Sequence, residues 1–481
     1  MKQKLALIAG PGLAVLLWCL PVPEGLSAEA WQVAGLAVWM AVWWFSEAIP
    51  LPATALLPMV VLPLSQTMGM QQAAAPYAHP VVFLFMGGFI IAQAIQARGL
   101  SQRLALWVIR RQQGSPSRTV AAFFITAAVL SLWVNNTATA LMLLPIAHEV
   151  LRSSGDEKST AVWAPPLLLA LAYGCNIGGM GTIISTAPNA LTAAFLGQDL
   201  QFPVSFAQWL MFGLPLVVLG VGIGIVLLTR VLFRVPSHGP KPQLSDLPAM
   251  SAAERRTAII AIATALAWML KPWLKQWIPG IHDTAIAMGG ALLLFVIPAG
   301  LSTGKAANKT PADSDAEPSA QAPARLLSWQ EAAQLPWGVL ILFGGGLSLA
   351  AAIQSTGLAQ WLGNYLAFLE GVPVWVLVAC VVSFILLLTE FTSNTATTAA
   401  FLPIIGALAT SIGQPHWQLL VPMALAASGA FMMPVATPPN AIVFGGALGI
   451  RQMVRAGIWF NLLFVTLITL LSVTLLPWAL G

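Results

Sequence analysis

Two stretches of this chain place hydroxyl and amide side chains inside runs that are otherwise apolar. They span residues 131–140 and 389–398, and the apolar run after each ends in Leu-Pro-Ile, at 144–146 and 402–404. The side chains of Asn, Ser and Thr carry both hydrogen-bond donors and acceptors. Their oxygens can surround a cation such as Na⁺, while their amides and hydroxyls can donate to a carboxylate. Both stretches are therefore candidate sites for a small anion and a cation.

A second pair of polar breaks, at residues 181–189 and 433–440, follows the first pair and reveals an internal repeat. The matched pairs are Asn136 with Asn394, Asn189 with Asn440, and the block 94–100 (AIQARGL) with 352–358 (AIQSTGL). The first and third pairs are 258 residues apart, and the second pair is 251 residues apart. Three matched blocks in one register indicate that the two halves of the chain are copies of one unit.

The composition predicts an integral membrane protein. Only 8% of the 481 residues are charged and 58% are hydrophobic, whereas a soluble domain carries about 25% charged residues. The formal net charge of +5 does not indicate a nucleic-acid partner, because basic residues of membrane proteins gather in cytoplasmic loops. The three cysteines lie singly in apolar runs and form neither a disulfide framework nor a metal-binding spacing.

The polar stretches require helices that are interrupted inside the membrane. A spanning helix needs about 20 apolar residues, whereas each arm beside a polar stretch has about 12. We therefore predict re-entrant helical hairpins at 119–150 and 374–408, and broken spans at 162–196 and 418–446. The other spans are predicted at 5–21, 31–49, 50–65, 81–97, 206–233, 257–278, 283–300, 336–356 and 457–479.

The distribution of basic residues orients this layout. It places 19 of the 21 Lys and Arg residues on one side of the membrane, and only Lys271 and Lys275 on the other. Because basic loops stay in the cytoplasm, the N-terminus is predicted to be cytoplasmic and the C-terminus external. The N-terminal segment could also be a cleaved signal peptide, but an uncleaved first helix suits the whole pattern better. The predicted fold class is an all-α integral membrane protein, an inverted-repeat transporter with about 11 transmembrane helices and two re-entrant helical hairpins.

Four breaks in symmetric positions imply a shared central cavity. Backbone that leaves a helix inside hydrocarbon must be buried in protein or line water, since each unpaired N–H or C=O costs several kcal/mol. Inverted repeats with discontinuous helices are typical of secondary transporters. No Lys or Arg lies in or next to either tip, so an anion would be balanced by helix dipoles and bound cations. A single Ser, Thr or Asn could merely bond a neighbouring helix, but the paired pattern favours a binding site.

Glu390 is an ionisable residue inside the second polar stretch, and Leu132 occupies its place in the first. An ionisable residue within a membrane segment is a functional candidate by default. A structural partner role and a role in ion binding are both open.

With these motifs the chain resembles the divalent anion:sodium symporter family, whose members carry dicarboxylates, citrate or sulfate. The resemblance covers nearly the whole chain, including residues 77–100, residues 336–346, the paired Ser-Asn-Thr-type motifs and the Pro-Asn breaks. It implies a homodimer in which scaffold and transport domains work by an elevator-like movement.

The resemblance also implies the site residues. Contacts to substrate carboxylates are expected from Asn135, Asn136, Thr137, Thr186, Ser393, Asn394, Thr395, Thr437 and Pro438. One Na⁺ is expected at Ser131, Asn135, Asn136 and the Ser185 backbone, and the other at Thr389, Ser393, Asn394 and the Ala436 backbone. Three residues of the first half depart from the family pattern: Asn135 for Ser, Ser185 for Gly and Ala187 for Pro. The larger Asn135 amide is expected to reshape that side of the pocket.

The predicted domain organisation follows the repeat. Scaffold helices are expected at 1–118, 236–301 and 329–373, and transport units with hairpin, broken helix and final span at 119–235 and 374–481. Residues 302–328, rich in Ala, Pro, Ser, Asp and Lys, are predicted to form a disordered cytoplasmic linker.

The leading hypothesis is a sodium-coupled symporter of C4-dicarboxylates such as succinate, malate and fumarate, located in the inner membrane. Uptake of sulfate or citrate and sodium-independent dicarboxylate exchange are alternatives within the same fold. A membrane-embedded hydrolase or metalloprotease is disfavoured, because the sequence has no intramembrane His/Glu/Asp cluster and no Gly-flanked Ser nucleophile. A channel is the third class, and saturable, gradient-driven accumulation distinguishes a carrier from a pore.

Overall fold

The computed structural model describes residues 2–111, 115–153, 157–198, 200–236, 249–300, 325–445 and 447–480. Regular secondary structure in these ranges is helical, as the sequence predicts. A helix is the expected form for apolar runs in lipid, because it satisfies its backbone hydrogen bonds within one segment.

The described residues of the first half form twelve α-helices. In chain order they are α1 (Lys2–Cys19), α2 (Ala28–Ser46), α3 (Leu51–Thr54), α4 (Leu57–Leu64), α5 (Met70–Ala74), α6 (Pro80–Ala97), α7 (Leu100–Arg111), α8 (Pro116–Ser131), α9 (Asn136–Ser153), α10 (Glu157–Gly178), α11 (Ala187–Gln198) and α12 (Phe206–Val226). A 3₁₀ turn at Ala75–Ala78 precedes α6, and a π-helical turn at Leu227–Leu232 extends α12.

The second half forms another twelve α-helices in its described part. They are α13 (Ala252–Met269), α14 (Lys271–Leu274), α15 (Asp283–Val296), α16 (Trp329–Ala332), α17 (Trp337–Ser355), α18 (Leu358–Leu366), α19 (Val374–Thr389), α20 (Asn394–Ser411), α21 (Trp417–Ala427), α22 (Pro438–Val443), α23 (Ile450–Thr474) and α24 (Leu476–Leu480). A 3₁₀ turn at Ala367–Leu369 follows α18.

Each predicted hairpin region contains two helices joined by a short break at the polar motif. Residues 132–135 separate α8 from α9, and residues 390–393 separate α19 from α20. In both copies the first arm has 16 residues and the second has 18. At 1.5 Å per residue these arms are about 24–27 Å long, which is shorter than the ~30 Å hydrocarbon core.

Both predicted broken spans are interrupted helices. The first is broken at residues 179–186, between α10 and α11, and the second at residues 428–437, between α21 and α22. Each break begins earlier than the sequence predicts, because Asn189 and Asn440 take up backbone carbonyls at the start of the break.

The structure corrects three predicted boundaries. The predicted span at 50–65 is two short helices, α3 and α4, since its prolines lack the N–H that a continuous helix requires. The last long helix begins at Ile450 rather than at residue 457. The predicted linker at 302–328 falls mostly outside the described residues, but its last residues pack onto α15: Leu326 and Leu327 are buried and donate to Ile297 O and Leu294 O at 3.0 Å.

Four helical stretches in the described part are long and apolar enough to cross a membrane. They are Met70–Ala97, which joins α5, the 3₁₀ turn and α6; Phe206–Leu232, which joins α12 and the π-helical turn; Trp337–Ser355; and Ile450–Thr474. Shorter apolar helices of 10–17 residues include α8 and α19, the first arms of the two hairpin regions. Segments of that length suit entry into a membrane without crossing it.

Ion pairs fasten the helices that surround the hairpins. Arg98 at the end of α6 pairs with Glu331 of α16, and Arg103 Nε of α7 lies 2.8 Å from Glu254 Oε1 of α13. Burial raises the pKa of Glu254, but hydrogen bonds from Arg103 and Ser251 outweigh it and hold that pKa below its usual value.

Candidate functional site

The first polar tip packs directly against the first helix break. A Cβ atom added at Gly179 would lie 2.6 Å from Asn136 Nδ2 and 2.7 Å from Thr186 Cγ2, so only glycine permits this approach. Asn136 is half-buried, and among the described residues its Oδ1 has no hydrogen-bond partner. Ser131 Oγ, at the end of α8, is fully buried and has the Cys175 thiol, a weak hydrogen-bonding group, beside it. Both of these oxygens, which are predicted for the first cation site, can therefore still accept a ligand.

Asn135 is bonded differently from its neighbour Asn136. Its side chain is exposed, and Oδ1 accepts the backbone N–H of Thr137 at 2.8 Å. This bond caps the N-terminus of α9, the position at which Asn is among the preferred residues. Asn135 therefore uses its oxygen to start a helix, while the half-buried Thr137 lies in the first turn of that helix.

In the second tip the equivalent oxygens are already paired with each other. Thr389 Oγ1 donates to Asn394 Oδ1 and also contacts Ala427 O at 3.2 Å. Ser393 precedes α20 in an extended conformation, and Thr395 lies in its first turn, both half-buried. The second tip thus adjoins the end of α21 through Thr389.

The two breaks are closed in the same way. Asn189 Nδ2 donates to Gly179 O at 3.0 Å and to Thr182 O at 2.8 Å. The equivalent Asn440 Nδ2 donates to Ala430 O at 3.2 Å and to Met433 O at 3.1 Å. These four carbonyls match under the 251-residue offset, so the repeat seen in the sequence is also a repeat of contacts.

Ser185 adds two further bonds to the first break. Its hydroxyl donates to Gly179 O and to Thr182 O, the latter at 2.8 Å. The equivalent Ala436 is buried and has no side-chain polar group. The departure from Gly at position 185 therefore stiffens the first break without adding an exposed donor.

Two residues that the sequence reasoning missed join the halves. Asn176 Nδ2 of α10 reaches the second break, where it contacts Ala430 O, Thr437 Oγ1 and Asn440 Oδ1 at 3.1–3.2 Å. Ser428 Oγ lies 3.2 Å from Thr186 Oγ1 of the first break. The only sequence signal for Asn176 is a lone amide in an apolar helix, and for Ser428 there is none.

Five of the residues in the two tips and breaks lie along one path. Asn136 and Thr186 both approach Gly179, Thr186 contacts Ser428, and the neighbouring Ala427 contacts Thr389, which donates to Asn394. Thr437 is buried at the N-cap of α22, whereas Pro438 beside it is exposed. No group of three or more His, Cys, Asp or Glu residues that could hold a metal occurs in the described part of the chain. The chemistry available is that of hydroxyls, amides, carbonyls and helix N-termini, which suits an alkali cation and an oxyanion.

Comparison with known proteins identifies the family. The family model described as the sodium:sulfate symporter transmembrane region matches residues 2–480. Two similar relatives are sodium-dependent dicarboxylate transporters SdcS, from Staphylococcus saprophyticus (36% identical) and Staphylococcus aureus (37%), with all of this chain and 92% of each relative aligned. The fold is similar to the crystal structure of the Alcanivorax borkumensis YdaH transporter, with a TM-score of 0.56 and 14% identity over 92% of this chain and 97% of that one. The chain therefore belongs to the sodium:sulfate symporter family, the divalent anion:sodium symporters that its motifs resemble.

Proposed function

We propose that this protein is a secondary active transporter that carries C4-dicarboxylates such as succinate, malate and fumarate into the cell together with Na⁺. The observation that carries the proposal is the connected set of hydroxyls and amides that both repeats contribute at helix breaks. Full-length similarity to sodium-dependent dicarboxylate transporters supports the same substrate and coupling ion. These relatives are transporters, so the chain is not an enzyme.

The two tips and two breaks bind the substrate carboxylates in this proposal. α9, α20 and α11 begin at or beside the polar motifs, and helix N-termini favour anions. Hydroxyl and amide donors come from Asn136, Thr137, Thr186, Asn394, Thr395 and Thr437, with Asn135, Ser393 and Pro438 at the rim. Since neither tip holds Lys or Arg, the two substrate charges are balanced by helix dipoles and by bound Na⁺.

Each half binds one sodium ion. The first site takes Asn136 Oδ1, which is buried and lacks a partner among the described residues, together with Ser131 Oγ and the Ser185 carbonyl, while Asn135 caps α9 beside it. The second takes Thr389, Ser393, Asn394 and the Ala436 carbonyl. The hydrogen bond between Thr389 and Asn394 places two of its oxygens side by side. When Na⁺ enters, Thr389 keeps Ala427 O as its acceptor and frees Asn394 Oδ1 for the ion.

The protein lies in the plasma membrane, with a cytoplasmic N-terminus, an external C-terminus, about 11 spans, and hairpins entering from opposite faces. Scaffold segments at 1–118, 236–301 and 329–373 hold the transport units at 119–235 and 374–481, with residues 302–324 as the connecting linker. Two chains associate through their scaffolds. The distribution of basic residues supports the orientation of the termini, and the short first arms support the hairpins.

An elevator-type movement is supported by unequal contacts of the two repeats. Ile184 packs on α6, where a Cβ added at Gly88 would lie 3.3 Å from its Cγ2. The equivalent Val435 is 76% exposed, and the equivalent glycine on α17, Gly346, instead faces Leu191 and Ala399. The first break thus packs on its scaffold helix, whereas the matching residue of the second break is exposed. Exchanging the two arrangements generates a second state.

Two apolar cavities show the same difference in how the two repeats pack on the scaffold helices. One, of about 260 Å³, lies where α6 and α7 face Trp133 and Val134 of the first tip. The equivalent face, on α17 and α18, borders a cavity of about 350 Å³ against Phe401 and Ile404 of α20, away from the second tip. The apolar lining of these boundaries favours sliding of a transport unit along the scaffold.

The test is uptake of labelled succinate into liposomes that carry the purified protein, with an inward Na⁺ gradient compared with an equal K⁺ gradient. Uptake is expected only with Na⁺, and Asn136→Ala and Asn394→Ala are each expected to reduce it by more than about tenfold, because each removes a ligand from one half-site. Uptake in K⁺ that depends on trapped internal dicarboxylate would instead identify an exchanger.

Sulfate is the second candidate, because the family model is named for it. Excess unlabelled sulfate or citrate is expected to leave succinate uptake unchanged. Strong competition by either anion, combined with its own Na⁺-driven uptake, would reassign the substrate.

A further inference from the structure

Glu390 is a buried carboxylate held by neutral hydrogen-bond donors. Its side chain is 1% exposed. Oε1 accepts the backbone N–H groups of Phe431 and Met432, and Oε2 accepts those of Met432 and Met433, at 2.9–3.0 Å. Asn461 Nδ2 of α23 donates to Oε1 at 2.9 Å. All of these partners are donors, which is the environment of an ionised carboxylate.

The first half makes the same junction without a charge. Leu132 stands at the position of Glu390, and Thr182 stands at that of Met433. Thr182 Oγ1 donates to Leu132 O at 2.8 Å and so ties the first tip to the first break. In the second half a side chain of the tip binds the backbone of the break, whereas in the first half a side chain of the break binds the backbone of the tip. The contact in the first half is neutral, whereas the contact in the second half carries the negative charge of Glu390.

Among the described residues, no cationic side chain pairs with Glu390. A buried charge without a counter-ion costs several kcal/mol, even when it is hydrogen-bonded. Thr389, the preceding residue, contributes an oxygen to the second sodium site proposed above. Thr389 Oγ1 contacts Ala427 O at the start of the second break, and Glu390 binds the N–H groups of residues 431–433 in the same break, so the carboxylate and the proposed ion share this break.

We infer that Glu390 is a positioning residue that gives the second half-site a higher affinity for Na⁺ than the first. Its hydrogen bonds hold the second tip against the second break, and its charge attracts the ion. Because Leu132 supplies no such charge, Na⁺ fills the second half-site before the first. This inference rests on the proposed sodium-coupled function.

The experiment measures sodium binding without transport. The melting temperature of the purified protein is followed as NaCl replaces KCl at constant ionic strength, with no substrate present. Glu390→Gln keeps the shape of the side chain, removes its charge and replaces one acceptor oxygen by an NH₂ donor, and is expected to raise the half-saturating Na⁺ concentration at least about fivefold. The matched control is Glu331→Gln. It removes a carboxylate of α16 that pairs with Arg98 at the end of α6, and it is expected to leave the half-saturating Na⁺ concentration unchanged.

A second variant gives the second half the neutral hydrogen bond of the first half. It separates the effect of the Glu390 charge from the effect of holding the tip against the break. Glu390→Leu combined with Met433→Thr reproduces the pair found in the first half. It is expected to melt at a higher temperature in KCl than Glu390→Leu alone, yet to keep the raised half-saturating Na⁺ concentration.

Either of two results overturns the inference: a half-saturating concentration within twofold of wild type in Glu390→Gln, or its full recovery in the double variant. A wild-type protein whose melting temperature does not respond to Na⁺ at all would instead overturn the proposed function, and the inference with it.

Discussion

The neighbouring residues Asn135 and Asn136 of the first tip make different contacts. Asn136 faces the first break and keeps a free buried oxygen, whereas the oxygen of Asn135 accepts a backbone N–H of its own helix. The sequence motif treats the two residues alike, since both are amides in one polar stretch. Only the direction of each side chain distinguishes a cap from a cation ligand.

Replacing Asn135 is expected to affect stability rather than sodium affinity. Asn135→Ser retains a capping oxygen and is expected to leave both unchanged, while Asn135→Ala is expected to cost about 1 kcal/mol of stability. Melting temperatures in KCl and the half-saturating Na⁺ concentration for succinate uptake measure the two effects. A change in that Na⁺ concentration of more than about threefold in Asn135→Ser would make Asn135 a sodium ligand, in place of the helix cap described here.

At the scale of elements, the helix breaks are structures with bonds of their own. Asn189 and Asn440 each close a break by binding carbonyls that the interrupted helix cannot use. Such closure allows irregular backbone to persist within the protein interior. The close approach of the first tip at Gly179 then fixes how a hairpin meets a break.

Gly179→Ala is expected to separate the first tip from the first break. The added methyl would lie within 2.9 Å of both terminal atoms of the Asn136 amide, so this side chain must move out of the site. Succinate uptake is expected to fall more than about tenfold, with the protein still folded. Gly222→Ala on α12 is the control, because its added methyl meets nothing within 4 Å. Equal uptake by both variants would show that the contact at Gly179 is not needed for transport.

The elements were more predictable from the sequence than the contacts between them. Interrupted polarity located both tips and both breaks, because a membrane protein cannot place such groups in lipid. The reach of Asn176 across 261 residues to Thr437 was not predictable, because it depends on how two distant helices pack. Glu390 stood out by its charge, but its donors are backbone N–H groups, which every residue except proline carries.

At the scale of the whole molecule, the repeats are alike in sequence but not in placement. The first break packs on α6 through Ile184, and the equivalent Val435 of the second break is exposed. In the elevator movement proposed above, the two halves exchange these positions. The repeat then predicts which residues meet in the second state.

Paired cysteines test this relation in a chain freed of Cys19, Cys175 and Cys380. Ile184 Cβ lies 3.4 Å from a Cβ built at Gly88, close to disulfide geometry, so Gly88→Cys with Ile184→Cys is expected to cross-link in the state described here. Gly346→Cys with Val435→Cys is expected to cross-link only in the other state.

Both cross-links are expected to stop uptake until they are reduced. Formation of only the first pair, under all conditions with Na⁺ and succinate, would contradict the exchange of arrangements between the repeats.

The apolar cavity behind the first tip has a consequence for observing the protein. Trp133 of the tip and Trp268 of α13 both line it, and Phe206 packs on both rings, at centroid distances of 6.0 and 4.5 Å. In the elevator movement proposed above, Trp133 leaves this apolar cavity. Trp133 is one of 19 tryptophans, so the part of a change in tryptophan emission on mixing with substrate that Trp133→Phe removes would time the movement without any attached dye.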